Sequence, residues 1–219
     1  MRRSADAGQA FPIYITVMAG LLFLAFAYFV VGQAAATRNG AQTAADAAAL
    51  AAAQDARDQL RDGWVSVIAD PSQWGEFLAG GEYDVEAACD RAASFAAKNG
   101  TELWGEGCVA LPAGDDGFRV EVRTLESVGR SVIPGTESQH AVAAATAVLK
   151  PLCTFDAPEP TPEPEPSQAD PDPEPDPEPT PTQPAPIVGL TCDGVSWTID
   201  PDDPELPGAA DLFTVRLAG

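Results

Sequence analysis

Residues 7–37 carry no charged side chain, and the stretch from Phe11 to Val31 includes the run ITVMAGLLFLAFAYFVV. No other feature restricts the chain as strongly. At about 1.5 Å per residue, roughly 20 helical residues cross the ~30 Å hydrocarbon layer of a bilayer. Amides in lipid must be hydrogen-bonded within their own segment, so residues 11–32 read as a transmembrane helix in contact with membrane lipid. Pro12 falls in the first turn, where its missing N–H would be unpaired in any case. Phe11 and Tyr14 suit one interface and Tyr28 the other. Arg2 and Arg3 precede the span, whereas Arg38 and then Asp46, Asp55 and Asp58 follow it. This bias predicts a single-pass cell-membrane protein, with residues 1–10 cytoplasmic and the C-terminal domain extracellular. Ala34-Ala35-Ala36 resembles a signal-peptidase site, and cleavage there would release a secreted protein. The apolar core is longer than the ~7–15 residues of a signal peptide, which favours a retained anchor.

Residues 33–63 continue as an alanine-rich stalk helix. From Ala34 to Leu60 there is no proline, and alanine is the strongest helix former. Asn39-Gly40 can end a helix. The sequence therefore allows either one continuous helix or a kink there, followed by a second helix from Gln42 to Arg61 stopped by Gly63. Arg38, Gln42 and Asp46 form a polar stripe at fourfold spacing. Ala41, Ala44, Ala45, Ala48 and Ala52 form a smooth opposite face. That face reads either as propensity alone or as a stalk for self-association or a partner, since small residues let helices approach closely.

Behind the stalk, residues 64–155 and 187–219 read as one α+β domain. Asp84 caps a helix running to about Lys98, with Cys89 on its apolar face and Asn99-Gly100 as its stop. GFRVEVRT alternates: Phe118, Val120, Val122 and Thr124 share one side, and Arg119, Glu121 and Arg123 the other. ELWGEGCVAL is its expected partner, joined through a turn at Asp116-Gly117. HAVAAATAVLKPLC is apolar on both faces and reads as a strand closed by Pro151. PIVGLTCDGVSWTID and DLFTVRL read as two more strands. Trp64, Trp74, Trp104 and Trp197 are expected in core or rim packing.

Cys89, Cys108, Cys153 and Cys192 show no C-x-x-C spacing, and a single histidine accompanies them, so zinc is not expected. An even count outside the membrane suggests two disulfides. Three pairings are open, and we expect Cys89–Cys108, tying helix to strand, with Cys153–Cys192. Residues 156–186, DAPEPTPEPEPSQADPDPEPDPEPTPTQPAP, contain acids and prolines but no Lys or Arg. Such a composition cannot bury a core and reads as a solvated, disordered loop. If Cys153 and Cys192 pair, it is an insertion within one domain. Asp170, Asp172 and Glu174 are spaced like calcium ligands, but the alternating prolines forbid the required turn.

No nucleophile, metal or dinucleotide motif accompanies the one histidine, His140. No enzyme activity, metal or cofactor is expected. A formal charge of −21 argues against nucleic acid as a partner.

The segment GQAFPIYITVMAGLLFLAFAYFVVGQAAATRNGAQTAADAAALAAAQ resembles the N-terminal region of Flp (tight-adherence) pilus-assembly proteins of the TadE/TadG type. The likeness lies in a basic start, a Gly-plus-polar junction, one membrane helix and an alanine stretch, here Ala45 to Ala53. The resemblance implies a pilin-like fold: a long N-terminal helix followed by a small antiparallel sheet. It also implies a non-enzymatic role among pilus or secretion machinery proteins. Some relatives are cut by a prepilin peptidase, and Gly8-Gln9 would be that bond. The glutamate such pilins carry soon after the cut is Ile13 here, after Pro12, so an uncut anchored form is implied.

Overall fold

A computed structural model describes residues 10–81, 83–112, 116–127, 138–156, 186–200 and 206–218. The first element, α1, runs from Ala10 to Ser66 without interruption. Fifty-seven residues at about 1.5 Å each make a rod of about 85 Å. Asn39-Gly40 does not kink it. A helical glycine costs only about 1 kcal/mol relative to alanine, and packing begins in the next turn, where Ala41 is fully buried. Gly63 does not stop it either. The Phe77 ring lies where a Cβ at Gly63 would stand, so this glycine provides a close contact inside the helix. The last turn tightens through Val67 N–H to Trp64 O and Ile68 N–H to Val65 O, both 3.2 Å.

Asp70 caps a short 3-10 turn, Pro71–Gln73, which leads into α2 (Trp74–Leu78). The next helix, α3 (Val85–Lys98), begins as the sequence predicts: the Asp84 carboxylate accepts from the N–H groups of Glu86 and Ala87. Among the described residues seven strands follow: β1 (Thr101–Ala110), β2 (Gly117–Thr124), β3 (Val142–Pro151), β4 (Cys153–Phe155), β5 (Ile187–Cys192), β6 (Val195–Ile199) and β7 (Phe213–Leu217). One turn of helix, α4 (Ala209–Leu212), precedes β7.

The strands form two antiparallel sheets, one of order β1-β2-β3-β7 and one of order β4-β5-β6. The chain is thus a long N-terminal helix followed by antiparallel sheets, a mixed α+β fold. Residues 186–200 are not one strand but a hairpin. Asp193 and Gly194 both take positive φ, 46° and 80°, and turn β5 into β6. Asp-Gly between apolar runs is the two-residue turn signal that a single-strand reading passes over. DLFTVRL is likewise part helix and part strand, since Asp211 and Leu212 belong to α4.

Two apolar clusters hold the fold together. In the first, Ala44, Ala45, Ala48, Ala49, Ala52, Ala53 and Ala56 of α1 meet Ala88, Ala92 and Ala96 of α3 on one side. Phe118, Val120 and Val122 of β2 and Ala145 and Ala147 of β3 meet them on the other. The smooth alanine face therefore covers the chain's own head and is not free to meet sister helices. Small residues let the backbones approach closely, and the sheet supplies the bulk that alanine lacks. In the second cluster, Leu60 and Trp64 of α1 join Trp74, Leu149, Leu190, Ile199 and Phe213. Trp64 and Trp74 pack edge to face with ring centroids 5.4 Å apart.

Two disulfides are present, Cys89–Cys108 between α3 and β1 and Cys153–Cys192 between β4 and β5. Cys89 is half-buried at the edge of the alanine cluster, packed against it rather than in its centre. Cys153 and Cys192 face each other in register with Cα atoms 4.0 Å apart. The acidic proline stretch thus connects two paired strands of one sheet, and its residues 157–185, including Asp170, Asp172 and Glu174, lie outside the described residues.

Candidate functional site: the bare half of the long helix

The same α-helical backbone presents two unlike surfaces. From Phe11 to Val31 the large side chains point outward all around the axis. Phe11 is 71% exposed, Leu22 71% and Tyr28 82%. From Ala41 onward the helix is buried in the head. An apolar helix exposed on all sides is unfavourable in water, at roughly 25 cal/mol per Å2 of apolar surface left wet. It matches a lipid surround, which exacts no such penalty. By length and composition α1 is one helix able to cross a membrane. The 30 residues from Phe11 to Gly40 extend about 45 Å, enough for the hydrocarbon core and one interface.

Between the bare and buried halves lies a neck, residues 33–40, in which Ala34, Ala35, Ala36, Arg38, Asn39 and Gly40 are exposed. Thr37 Oγ1 donates to Gln33 O at 3.2 Å and Thr43 Oγ1 to Asn39 O at 3.0 Å, which satisfies their hydroxyls within the helix. The polar stripe expected from spacing is real and has a use. Gln42 Nε2 donates to Asp46 Oδ1 at 2.9 Å and to Ala144 O at 3.2 Å, fastening the helix to β3 where the head begins. At the far end Gln59 performs the same service for α3. Its Nε2 donates to Asp84 O at 3.2 Å, while Asp84 N–H donates to Gln59 Oε1 at 2.7 Å.

His140 is exposed, and its Nδ1 lies 2.7 Å from Thr124 O. A carbonyl only accepts, so Nδ1 carries the proton, and the ring ties the end of β2 to the start of β3. Among the described residues no group of three or more His, Cys, Asp or Glu side chains is gathered to hold a metal. Gly8 and Gln9 lie outside the described residues. Trp64 and Trp74 are core residues and Trp197 is half-buried, but Trp104 stands 43% exposed. It rides on a bulge of β1 that the sequence reading takes as regular strand. Leu103 pairs with Val122 and Cys108 with Val120, so four residues oppose one. Gly105 and Gly107, at φ 64° and 70°, make that excursion feasible. The Arg123 guanidinium stacks 3.6 Å from the Trp104 ring centroid and pairs with Glu102.

Residues 8–55 match the family model described as Flp pilus-assembly TadE/G-like. The match takes in the bare half, the neck and the first buried turns of α1. It ends before Leu60 and Trp64 and leaves both sheets unmatched. No curated protein and no solved structure matches the chain.

Proposed function

We propose that the chain is a membrane-anchored, non-enzymatic assembly component of a Flp (tight-adherence) pilus or a related secretion apparatus. Residues 11–32 lie in lipid, the N-terminus is cytoplasmic, and the disulfide-bonded head stands outside. The observation that carries this reading is the single unbroken α1, bare over the span and buried in the head, with the pilus-assembly family match covering the junction of the two. Because no break separates anchor from core, the head has a defined distance and orientation relative to the bilayer. That rigidity suits a part that must be positioned beside neighbouring machinery.

Affinity purification of the tagged chain from gently solubilised membranes is expected to recover pilus or secretion proteins, and a deletion strain is expected to lose piliation or secretion. Unchanged piliation and secretion in the deletion strain would refute the role. The exposed neck supports a second reading. Cleavage after Ala36 would leave every buried residue from Ala41 onward in place, so a released head would remain intact. The mature N-terminus separates the readings: Met1 or nearby for the anchor, Thr37 for the released form, Gln9 for prepilin-type processing at Gly8.

A further inference from the structure

The four-stranded sheet covers α1 and α3 with one face, and among the described residues no helix or second sheet packs on the other. Outward positions follow from the register: Arg119 opposite Thr146, Glu121 opposite Ala144, Arg123 opposite Val142 and Val148 opposite Arg216. Lys150 continues the series one row further. An open sheet face normally alternates with polar residues, yet β3 sets Val142, Ala144, Thr146 and Val148 there. This stripe explains why β3 reads as apolar on both faces. Around it stand four cations, Arg119, Arg123, Lys150 and Arg216, against three carboxylates, Glu102, Glu121 and, on the β1 bulge, Glu106. Arg119, Lys150 and Arg216 are exposed, and among the described residues they form no ion pair. Elsewhere the described cations are engaged: Arg57 and Arg61 pair with Asp58 and Asp62, and Arg91 and Lys98 lie over Phe95, Arg38 on the neck being the exception. Exposed Trp104, stacked on Arg123, closes the far end of the stripe.

We propose that this face is the docking surface for the chain's own acidic proline segment, residues 157–185. That segment carries eight carboxylates, twelve prolines and no Lys or Arg. Exposed tryptophan receives proline rings, and arginine receives carboxylates, so both chemistries of the segment find a counterpart on the sheet. The segment is tethered at β4 and β5, and β4 starts just after Lys150 and Pro151. Twenty-nine residues at about 3.1 Å each reach out and back over roughly 45 Å. The stripe from Lys150 to Val142 is about 26 Å long. The tether supplies a high effective concentration, which favours this occupant over a separate acidic chain.

The chain has two lysines, Lys98 and Lys150, which makes zero-length carbodiimide coupling a direct test on the full chain in detergent micelles. Docking predicts, at low salt, amide links from Lys150 to the distal carboxylates Asp170 to Glu178, and from an Arg119→Lys variant to the same segment. High salt should suppress both, and Arg216→Glu or Trp104→Ala should lower the yield about threefold, the change expected for one exposed pair or ring contact. Lys98, beyond the sheet at the end of α3, serves as the internal control. Coupling from Arg119→Lys no greater than from Lys98, or yields indifferent to salt, would overturn the proposal. Links found only within covalent dimers would also overturn it, by assigning the face to a second copy. Retention of both disulfides in each variant, read by mass, shows that the head still folds.

Discussion

Ala34, Ala35 and Ala36 lie exposed on α1, whereas Ala44, Ala45 and Ala48, about two to four turns further along the same helix, have no exposure at all. Composition barely changes between the two stretches. What changes is the surroundings: none of the described residues in the first case, and α3 plus the sheet in the second. Alanine serves both halves because its helix propensity is the highest of the residues and its small side chain permits close packing where a neighbour exists. The bare half is built on leucine, phenylalanine and isoleucine instead, whose large side chains lie outward and are covered by none of the described residues. One helix thus combines an apolar segment long enough to cross a membrane and the centre of a head, and the transition occupies only the neck.

The contrast is broken most severely by charge. Ala48→Asp would bury an unpaired carboxylate between α3 and the sheet and should cost about 4 kcal/mol or more, whereas Ala35→Asp on the neck should change stability by less than about 0.5 kcal/mol. Urea unfolding of the head followed by circular dichroism measures both. Next come the disulfides, which constrain the head and not the bare half of α1. Replacing Cys153 and Cys192 by serine, which opens a sequence separation of 39, should cost about 4 kcal/mol. Replacing Cys89 and Cys108, with a separation of 19, should cost about 3 kcal/mol. Equal losses, or a larger loss for the shorter loop, would show that native contacts outweigh chain entropy.

Size offers a gentler probe. Ala48→Leu should cost about 1–3 kcal/mol through overpacking, while Ala35→Leu should be near neutral. Trp64 sharpens the other cluster. Its indole Nε1 is buried with no hydrogen-bond partner among the described residues. Trp64→Phe removes that stranded donor along with some area, so its loss of stability, measured by urea unfolding, should fall well below the ~3–5 kcal/mol of a Trp64→Ala truncation. The smallest effect is alkaline. Burial, and secondarily the charge of Asp116, raise the Tyr83 phenol above its ordinary value of 10.0. The folded state then holds this proton longer than the unfolded state does. The associated stability is complete below 10.0 and is lost as the pH rises through the higher folded value. Tyr83→Phe should lack that alkaline decline in urea midpoint.

Much of this arrangement is legible in the residues. The uncharged run announces the bare half, Asp84 announces α3, and the alternation from Phe118 to Thr124 orients β2. The even cysteine count suggests two disulfides but leaves three pairings open, and the pairing expected is the one present. The destination of the alanine face is harder to read, because propensity and close packing demand the same residue. A signal exists even so: Ala88, Ala92 and Ala96 repeat at fourfold spacing in α3, offering a second smooth face to the first. The hairpin at Asp193-Gly194 is legible from its turn dipeptide. The excursion of β1 at Trp104 to Gly107 is less so, since two glycines in a strand mark a bulge without stating its size. The division of the strands into two sheets depends on contacts far apart in sequence, such as Leu60 and Trp64 against Leu190 and Ile199, and no local pattern encodes them.

The central claim is that one unbroken helix is lipid-borne before the neck and head-borne after it. Alkaline carbonate extraction, applied to the full chain and to a variant beginning at Thr37, tests both parts at once. The full chain is expected to stay with the membrane pellet, while the shortened chain is expected to be soluble and folded and to carry both disulfides. A full chain released into the supernatant, or a shortened chain unable to fold, would contradict it.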